Sequence, residues 1–371
     1  MNESPTAALA RSRIAEAIAM LGPLATVGVS LRELTTFRVG GIADVLVRVH
    51  DLAEVRRVSE VVAATGVHVM VVGQGSNLLV SDEGFRGVVV VLAGTFAETL
   101  FPIDPVDPVD PIDLVEPVRS AVVQPRSTTS LDNFTSSSEI STLDAQPENL
   151  LQVTAGGGVK LPILARQSAS RGFGGLEWMV GVPGSVGGAV RMNAGGHGSD
   201  VAANLAHAEI WRVGADAPTR IESAELGLRY RHSNLRDTDL VLTATFNVIH
   251  RNAQQAEQEL AEIVRWRREH QPGGANCGSV FTNPEGDSAG RLIDAAGLRG
   301  LRIGTASVSE KHANFIQADE HASADDIWAL IIEVRKRVFD IFGITLHPEV
   351  RTAGFDAVLP ALSTSPVDSN E

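Results

Sequence analysis

The sequence predicts a protein of two units, each of the α+β or α/β class. Segments with strand character alternate with helical segments along most of the chain, which is the pattern of sheets covered by helices. The chain has 371 residues, more than one ordinary hydrophobic core holds. Hydrophobic residues make up 44% and charged residues 20%, which is typical of globular proteins and excludes a wholly disordered chain.

The first unit is predicted to follow a helical segment over residues 1–30. Asp51 is a helix N-cap residue type, and the helix that it opens extends to Ala64 before Gly66 ends it. Another helix begins near Pro162, since proline fits the first helical turn, and stops at Gly172. Three apolar runs of strand length lie between these helices: Val67–Val72, Val88–Leu92 and Leu151–Gly158.

The second unit is predicted to begin near residues 245–255. Asn252 opens a polar helix that continues to Arg268, and a short helix covers residues 288–296. The clearest helix follows Ser323, whose spacing to Asp326 is that of a capping box, and Gly343 ends it. Its predicted apolar stripe consists of Ile327, Leu330, Val334, Val338 and Ile341.

Residues 101–150 differ in composition from the rest of the chain. They contain nine acidic residues, two arginines and seven prolines, and four Pro-x-Asp units follow one another from Pro102. Proline at this density excludes a helix or a central strand, and a period of three fits polyproline II. We therefore expect a disordered acidic Pro/Ser-rich insertion in a surface loop, with a docking segment as the alternative.

Charge and cysteine content exclude several classes of function. A net charge of −14 disfavours general binding to nucleic acid or anionic membranes. The single cysteine, Cys277, excludes an intramolecular disulfide and multi-cysteine metal sites, and the acidic N-terminal segment does not resemble a secretory signal. The ten histidines form no metal-ligand motif. These observations predict a cytoplasmic protein without a resident metal, a nucleic-acid partner or a membrane-inserted segment.

Two glycine-rich segments are the first candidates for ligand binding. Gly73–Asn77 follows an apolar strand, as in dinucleotide-binding folds, but Leu78 replaces the third glycine of the Rossmann fingerprint. An ordinary turn is therefore an alternative. Gly172–Gly198 has ten glycines in 27 residues with Val and Met between them, which indicates backbone packed against a large flat ligand. A hydrolase elbow at Ser185 is disfavoured, because Pro183 replaces the first glycine of that motif.

Three further segments place polar residues next to predicted strands. They are Tyr230–Ser233, Gly274–Pro284, which contains Ser279, and His347–Arg351, which contains Glu349. Taken singly, each is better explained by a structural turn or a surface ion pair than by a functional site.

Seven ordered motifs, taken together, resemble the bacterial UDP-N-acetylenolpyruvoylglucosamine reductases, flavoenzymes of peptidoglycan precursor synthesis. The resemblance covers most of residues 30–355 outside the insertion. The motifs that carry it are Thr35–Gly41, Gly73–Asn77, Gly181–Gly188, Asn193–Gly195 with Tyr230–Arg231, Cys277–Phe281, Lys311–Asn314 and Pro348–Arg351.

The resemblance implies an α+β fold and three ranges of sequence. An FAD-binding domain of the PCMH/vanillyl-alcohol-oxidase type, made of two subdomains, would cover residues 31–250 around the insertion. A C-terminal α+β substrate-binding domain would cover residues 251–355 and precede a tail, 356–371. The residues implied in FAD binding are Arg38, Gly73, Gly75, Ser76, Asn77, Val182, Pro183, Gly184, Gly187, Gly188, Asn193 and Gly195.

The resemblance also implies a reaction and its residues. NADPH would reduce FAD, which would then deliver hydride to C3 of the enolpyruvyl ether of UDP-N-acetylglucosamine. Ser279 would protonate C2, while Arg231 and Glu349 would stabilise the enolate-like intermediate. The residues implied in substrate binding are Tyr230, Arg268, Asn283 and Lys311, and Arg267 is a neighbouring candidate. His197 stands where tyrosine is common in the family, so this chain resembles the shorter subtype.

Two other classes of function remain as alternatives. Another flavoprotein of the same cofactor fold, such as an alcohol oxidase, would keep the glycine segments without needing Ser279 and Glu349. A non-catalytic module that binds nucleotide sugars would keep the scaffold without the flavin. In each case we expect a monomer.

Overall fold

The computed structural model describes residues 5–102 and 151–355 of the chain. Residues 103–150, which form nearly all of the predicted insertion, and the predicted tail 356–371 lie outside the described residues. The helices and strands alternate in an α+β arrangement of several sheets, as the sequence predicts. The segment predicted to be helical over residues 1–30 is wrong in its last part, because Thr26–Ser30 is a strand.

The N-terminal part contains a four-stranded mixed sheet in the order β1-β2-β5-β3, packed against two helices. Its helices and strands are α1 (Pro5–Leu21), β1 (Thr26–Ser30), β2 (Ile42–Val49), α2 (Leu52–Thr65), β3 (Val69–Val71), β4 (Leu78–Val80) and β5 (Phe85–Leu92). The ends of α2 are as predicted, because Asp51 accepts a hydrogen bond from the Glu54 amide and Gly66 adopts the left-handed conformation. The strand predicted over residues 67–72 is shorter, Val69–Val71.

The second part is built on a largely antiparallel sheet in the order β12-β11-β13-β7-β6, with β8 paired to β13. Buried aliphatic side chains of this sheet form one hydrophobic cluster with those of α3, α4 and α6. Its helices and strands are β6 (Thr99–Leu100), β7 (Leu151–Gly156), α3 (Leu161–Ser170), β8 (Phe173–Gly174), α4 (Val186–Met192), β9 (Gly195–Gly196), β10 (Ser199–Asp200), α5 (Val201–Asn204), β11 (Leu205–Trp211), β12 (Thr219–Glu222), β13 (Leu240–His250) and α6 (Ala253–His270).

The C-terminal part has a small three-stranded antiparallel sheet and the long helix that the sequence predicts. Its helices and strands are α7 (Ala289–Ala295), β14 (Arg302–Ile303), β15 (Ala306–Val308), β16 (Ile316–Ala318), α8 (Ala324–Phe342) and β17 (Arg351–Ala353).

The structure corrects two details of α8. Ser323 accepts from the amides of Asp325 and Asp326, but the Asp326 carboxylate does not complete a capping box, because it accepts from the Thr305 amide and hydroxyl instead. Ile341, the last residue of the predicted apolar stripe, has 56% of its surface exposed. The stripe therefore ends at Val338, one turn earlier than predicted.

The C-terminal part shares buried surface with the N-terminal part. Phe37, Val39 and Leu79 are fully buried in a cluster whose other members come from residues 277–350. In addition, β17 pairs in parallel with β4, with Arg351 opposite Leu78. Because β4 directly follows Asn77, this pairing brings the end of the chain beside the first glycine-rich segment.

In the described ranges, 5–102 and 151–355, we find no helix that is both long and apolar enough to cross a membrane.

Candidate active site

A cleft of about 1150 Å³ lies where the three parts meet. Both glycine-rich segments line it, and so do residues from β17, from the end of α6 and from the loop before Val280. The sequence-predicted residues that line the cleft are Gly73, Gly75, Ser76, Asn77, Val182, Pro183, Gly184, Gly187, Gly188, Gly195, Arg231, Ser279 and Glu349.

The turn Gly73–Asn77 connects β3 to β4 along one wall of the cleft. Gly75 has φ +56°, and a Cβ at this position would lie 1.9 Å from the carbonyl oxygen of Leu34. Any side chain here would displace the backbone that supports the turn, so glycine is required both by conformation and by space.

The segment Gly181–Gly188 faces this turn. Ser76 donates a hydrogen bond to the Pro183 carbonyl at 3.0 Å, and a Cβ on Gly73 would lie 2.2 Å from the Ser185 hydroxyl oxygen. The hydroxyl of Ser185 caps α4 by accepting from the Gly188 amide. Ser185 is thus a structural cap, which agrees with the rejection of a hydrolase elbow.

The two segments supply unused backbone donors. The amides of residues 73–77, Gly184 and Ser185 donate to no other residue in the described parts of the chain. Amides of this kind, on glycine-rich backbone beside a large cleft, suit a pyrophosphate and the polar edge of a flat heterocycle. The residues present therefore fit a flavin dinucleotide.

Three candidate catalytic side chains converge at the cleft. Arg231 Nε lies 2.7 Å from Glu349 Oε1, and both side chains are largely buried. The Glu349 amide donates to the Val280 carbonyl at 2.7 Å, which places Glu349 beside the residue that follows Ser279. The Ser279 hydroxyl has no hydrogen-bond partner among the described residues.

Burial governs the ionisation of this site. It raises the pKa of Glu349, and the positive charge of Arg231 opposes that shift only in part. Burial, with a smaller contribution from Glu349, also raises the pKa of Cys277 far above its usual range. Cys277 therefore remains a protonated, unreactive thiol next to the serine loop.

Two residues predicted to bind the cofactor lie outside the cleft lining. Arg38 is exposed and left-handed, with φ 57°, between the buried residues Phe37 and Val39. Asn193 is 1% exposed, and its amide group bonds Asp200, the Ala202 amide and the Arg229 carbonyl. Through the Arg229 contact, Asn193 supports the turn that presents Arg231.

The four residues predicted to bind substrate also lie outside the lining. Tyr230 is 57% exposed, and the Arg231 guanidinium stacks over its ring. Asn283 accepts from the Ala289 amide, and Lys311 donates to the carbonyl of Arg268, whose own side chain is exposed. Their roles stay predictions.

Comparisons with known proteins identify the family. A profile of the C-terminal domain of UDP-N-acetylenolpyruvoylglucosamine reductase matches residues 270–353, and a profile of an FAD binding domain matches residues 120–212. UDP-N-acetylenolpyruvoylglucosamine reductase 2 of Symbiobacterium thermophilum is 38% identical over 89% of this chain and 92% of its own. The chain belongs to the UDP-N-acetylenolpyruvoylglucosamine reductase family.

Further relatives agree with this assignment. The reductase of a Synechococcus strain is 35% identical over 92% of this chain and 95% of its own. The solved structure of UDP-N-acetylenolpyruvylglucosamine reductase from Thermus caldophilus superposes with a TM-score of 0.66 at 32% identity, covering 89% of this chain and 99% of that one. The predicted fold class is confirmed, and the protein is an FAD-dependent oxidoreductase of this family.

In this reductase, some residues of the cleft wall had no clear signal in the sequence. Arg267, not Arg268, lines the cleft; its Nε donates to Gln271 at 2.8 Å, and burial lowers its pKa. Trp266 lines the cleft beside it, and the ring of His197 meets Trp266 edge-on at 5.2 Å. Desolvation, and secondarily Arg267, lowers the pKa of His197. Residues 267 and 268 point about 100° apart around the helix axis, so only one of them can face the cleft. The sequence does not show which one, because that depends on what the helix packs against.

Replacing Gly75 by alanine should abolish FAD binding by this reductase. The added Cβ would collide with the Leu34 carbonyl, and the left-handed backbone would cost about 1 kcal/mol more. Two quantities are measured: the amount of flavin that the purified protein retains, and the melting temperature of the protein. Gly214→Ala is the matched control, because Gly214 also has positive φ but would meet nothing within 4 Å. Retention of bound flavin by Gly75→Ala would contradict the role of this turn.

Proposed function

We propose that this enzyme uses NADPH to reduce the enolpyruvyl ether of UDP-N-acetylglucosamine to UDP-N-acetylmuramate, a step in peptidoglycan precursor synthesis. The observation that supports this most is the convergence of Ser279, Arg231 and Glu349 on the cleft that the glycine-rich turn lines. An alcohol oxidase of the same cofactor fold would have no need for this trio.

Gly73–Asn77 and Gly181–Gly188 would hold FAD, which would supply the hydride chemistry between NADPH and C3 of the enolpyruvyl group. Ser279 supplies the proton that C2 then needs. Its hydroxyl is free of partners among the described residues, so it can turn toward a substrate atom. A serine is a weak acid in water, but a developing carbanion in an organised site is a strong enough base to take its proton.

Arg231 stabilises the negative charge that develops on the substrate carboxylate and at C2, and Glu349 holds the Arg231 guanidinium in place. The guanidinium is anchored by its contact with Glu349 at 2.7 Å and by a hydrogen bond from Nη2 to the Gly195 carbonyl at 3.3 Å. A cation fixed in this way needs little reorganisation during the reaction, which is what makes electrostatic stabilisation effective.

Cations near the rim are the candidates for the substrate diphosphate. Arg267 lies in the cleft wall, whereas Lys311 and Arg268 reach the solvent nearby. Tyr230 and Asn283 remain candidates for contacts outside the wall. We assign residues 31–250 to the FAD-binding domain and 251–355 to the substrate-binding domain, with β17 returning to the first domain.

The test is NADPH oxidation by the purified holoenzyme with and without the enolpyruvyl nucleotide sugar. We expect oxidation that depends on this substrate, and UDP-N-acetylmuramate as the product under anaerobic conditions. Oxygen consumption with simple alcohols would favour an oxidase, and purification without any flavin would favour a non-catalytic binding module.

A further inference from the structure

Asn77 contacts the chain on both sides of Val350. Its side-chain Nδ2 donates to the main-chain carbonyl of Glu349 at 3.0 Å, and its own carbonyl accepts from the Arg351 amide, also at 3.0 Å. The Asn77 side chain therefore bonds another part of the protein, although the sequence motif suggests only a cofactor contact. The Asn77 backbone amide donates to no other described residue.

The opposite side of Glu349 is held by the serine loop. The Glu349 amide donates to the Val280 carbonyl at 2.7 Å, and Phe281 forms a bridge with Pro348. Glu349 therefore lies between two loops: its amide is bound to the Ser279 loop and its carbonyl to the flavin turn.

The bond from Asn77 is the one hydrogen bond that the Glu349 carbonyl accepts among the described residues. Without it, the peptide between Glu349 and Val350 loses a constraint on its rotation. The carboxylate of Glu349 is attached to that same backbone, so its 2.7 Å contact with Arg231 depends on the position of the backbone.

We propose that Asn77 is a positioning residue that couples the flavin-binding turn to the catalytic carboxylate. An ordered turn holds the Asn77 side chain in place, and Asn77 holds the backbone of Glu349 so that the carboxylate meets Arg231 beside Ser279. The role of Asn77 in catalysis rests on the proposed function. The hydrogen-bonded link between Asn77 and the Glu349 backbone does not.

The test compares Asn77→Ala and Asn77→Asp with the wild-type protein. Asn77→Asp keeps the size of the side chain but replaces the donor by a carboxylate oxygen, which repels the Glu349 carbonyl. The control is Asn247→Ala, because Asn247 and its hydrogen-bond partner Gln152 both lie outside the cleft lining. Three quantities are measured: FAD affinity, the rates of the two half-reactions, and hydrogen exchange of a peptide covering residues 346–353.

We expect both Asn77 variants to reoxidise reduced flavin with substrate about 10- to 100-fold more slowly, since small misplacements of catalytic groups have effects of this size. Flavin reduction by NADPH and FAD affinity should change less than about threefold, because the backbone amides remain. When the FAD-free proteins are compared, hydrogen exchange of the 346–353 peptide should be about tenfold faster in the Asn77 variants than in the wild type.

Unchanged hydrogen exchange together with an unchanged rate of flavin reoxidation by the substrate would overturn the proposal. Equal slowing of both half-reactions together with weaker FAD binding would also overturn it, by showing that Asn77 serves the cofactor alone. If wild-type flavin is not reoxidised by the enolpyruvyl sugar, the proposed function fails, and the exchange experiment still decides whether the coupling exists.

Discussion

Ser279→Ala is expected to lower turnover at least about 10²-fold, the lower end of what a general acid contributes. The serine hydroxyl is the proton donor in the proposed reaction, whereas the nearby Cys277 is packed in a hydrophobic cluster and is only 6% exposed. Reduction of bound FAD by NADPH requires no proton at C2 of the sugar ether, so its rate should stay within about threefold of the wild type.

Anaerobic stopped-flow absorbance separates the two half-reactions. Ser279→Cys restores a proton-bearing group at the same position and should recover part of the lost rate. Ser307→Ala is the matched control, because Ser307 is a half-buried serine of the same domain outside the cleft. If Ser279→Ala slows both half-reactions alike, Ser279 shapes the cleft and is not the acid.

The sequence predicted the fold class and the two glycine-rich segments that line the cleft, for reasons that are local. Asp51, Gly66 and Asn252 mark helix ends through contacts within a few residues, so their types are sufficient to place those ends. Some glycines of the two cleft segments are likewise recognisable, because at Gly73, Gly75 and Gly195 neighbouring atoms leave no room for a side chain.

Contacts between residues far apart in the sequence could not be predicted from such local patterns. Asp326 has the spacing of a capping box, but its carboxylate accepts hydrogen bonds from Thr305, in the turn between β14 and β15. Arg267 and Arg268 are equivalent in sequence, and only the packing of α6 decides which one faces the cleft. Asn77 and Glu349 are 272 residues apart in the sequence, and no local sequence pattern predicts their contact.

Glu349→Gln is the second substitution for which we expect a large effect. Glutamine keeps the shape of the side chain but leaves Arg231, 24% exposed, without its counter-charge. The guanidinium would then lose its fixed orientation, and turnover should fall by about 10²- to 10³-fold, the usual size for a lost electrostatic stabiliser. Flavin reduction by NADPH should again change little.

The pH dependence gives this prediction its direction. Because burial raises the pKa of Glu349, the carboxylate takes up a proton at a higher pH than the 4.5 of an ordinary glutamate. If the ion pair with Arg231 is the working form, the rate of substrate reduction in the wild type falls as the pH drops through this raised pKa. Glu349→Gln has no carboxyl to titrate and should lose this acid limb.

Glu259→Gln is the matched control for the pH profile. Glu259 also contacts an arginine, Arg251, at 2.7 Å, but it lies outside the cleft. This variant should keep both the turnover and the acid limb of the wild type. The opposite profile, a wild-type rate that rises as Glu349 becomes protonated, would mean that the carboxylic acid donates a proton itself. In that case the ion pair seen here is a resting arrangement, and Arg231 must act on the substrate without it.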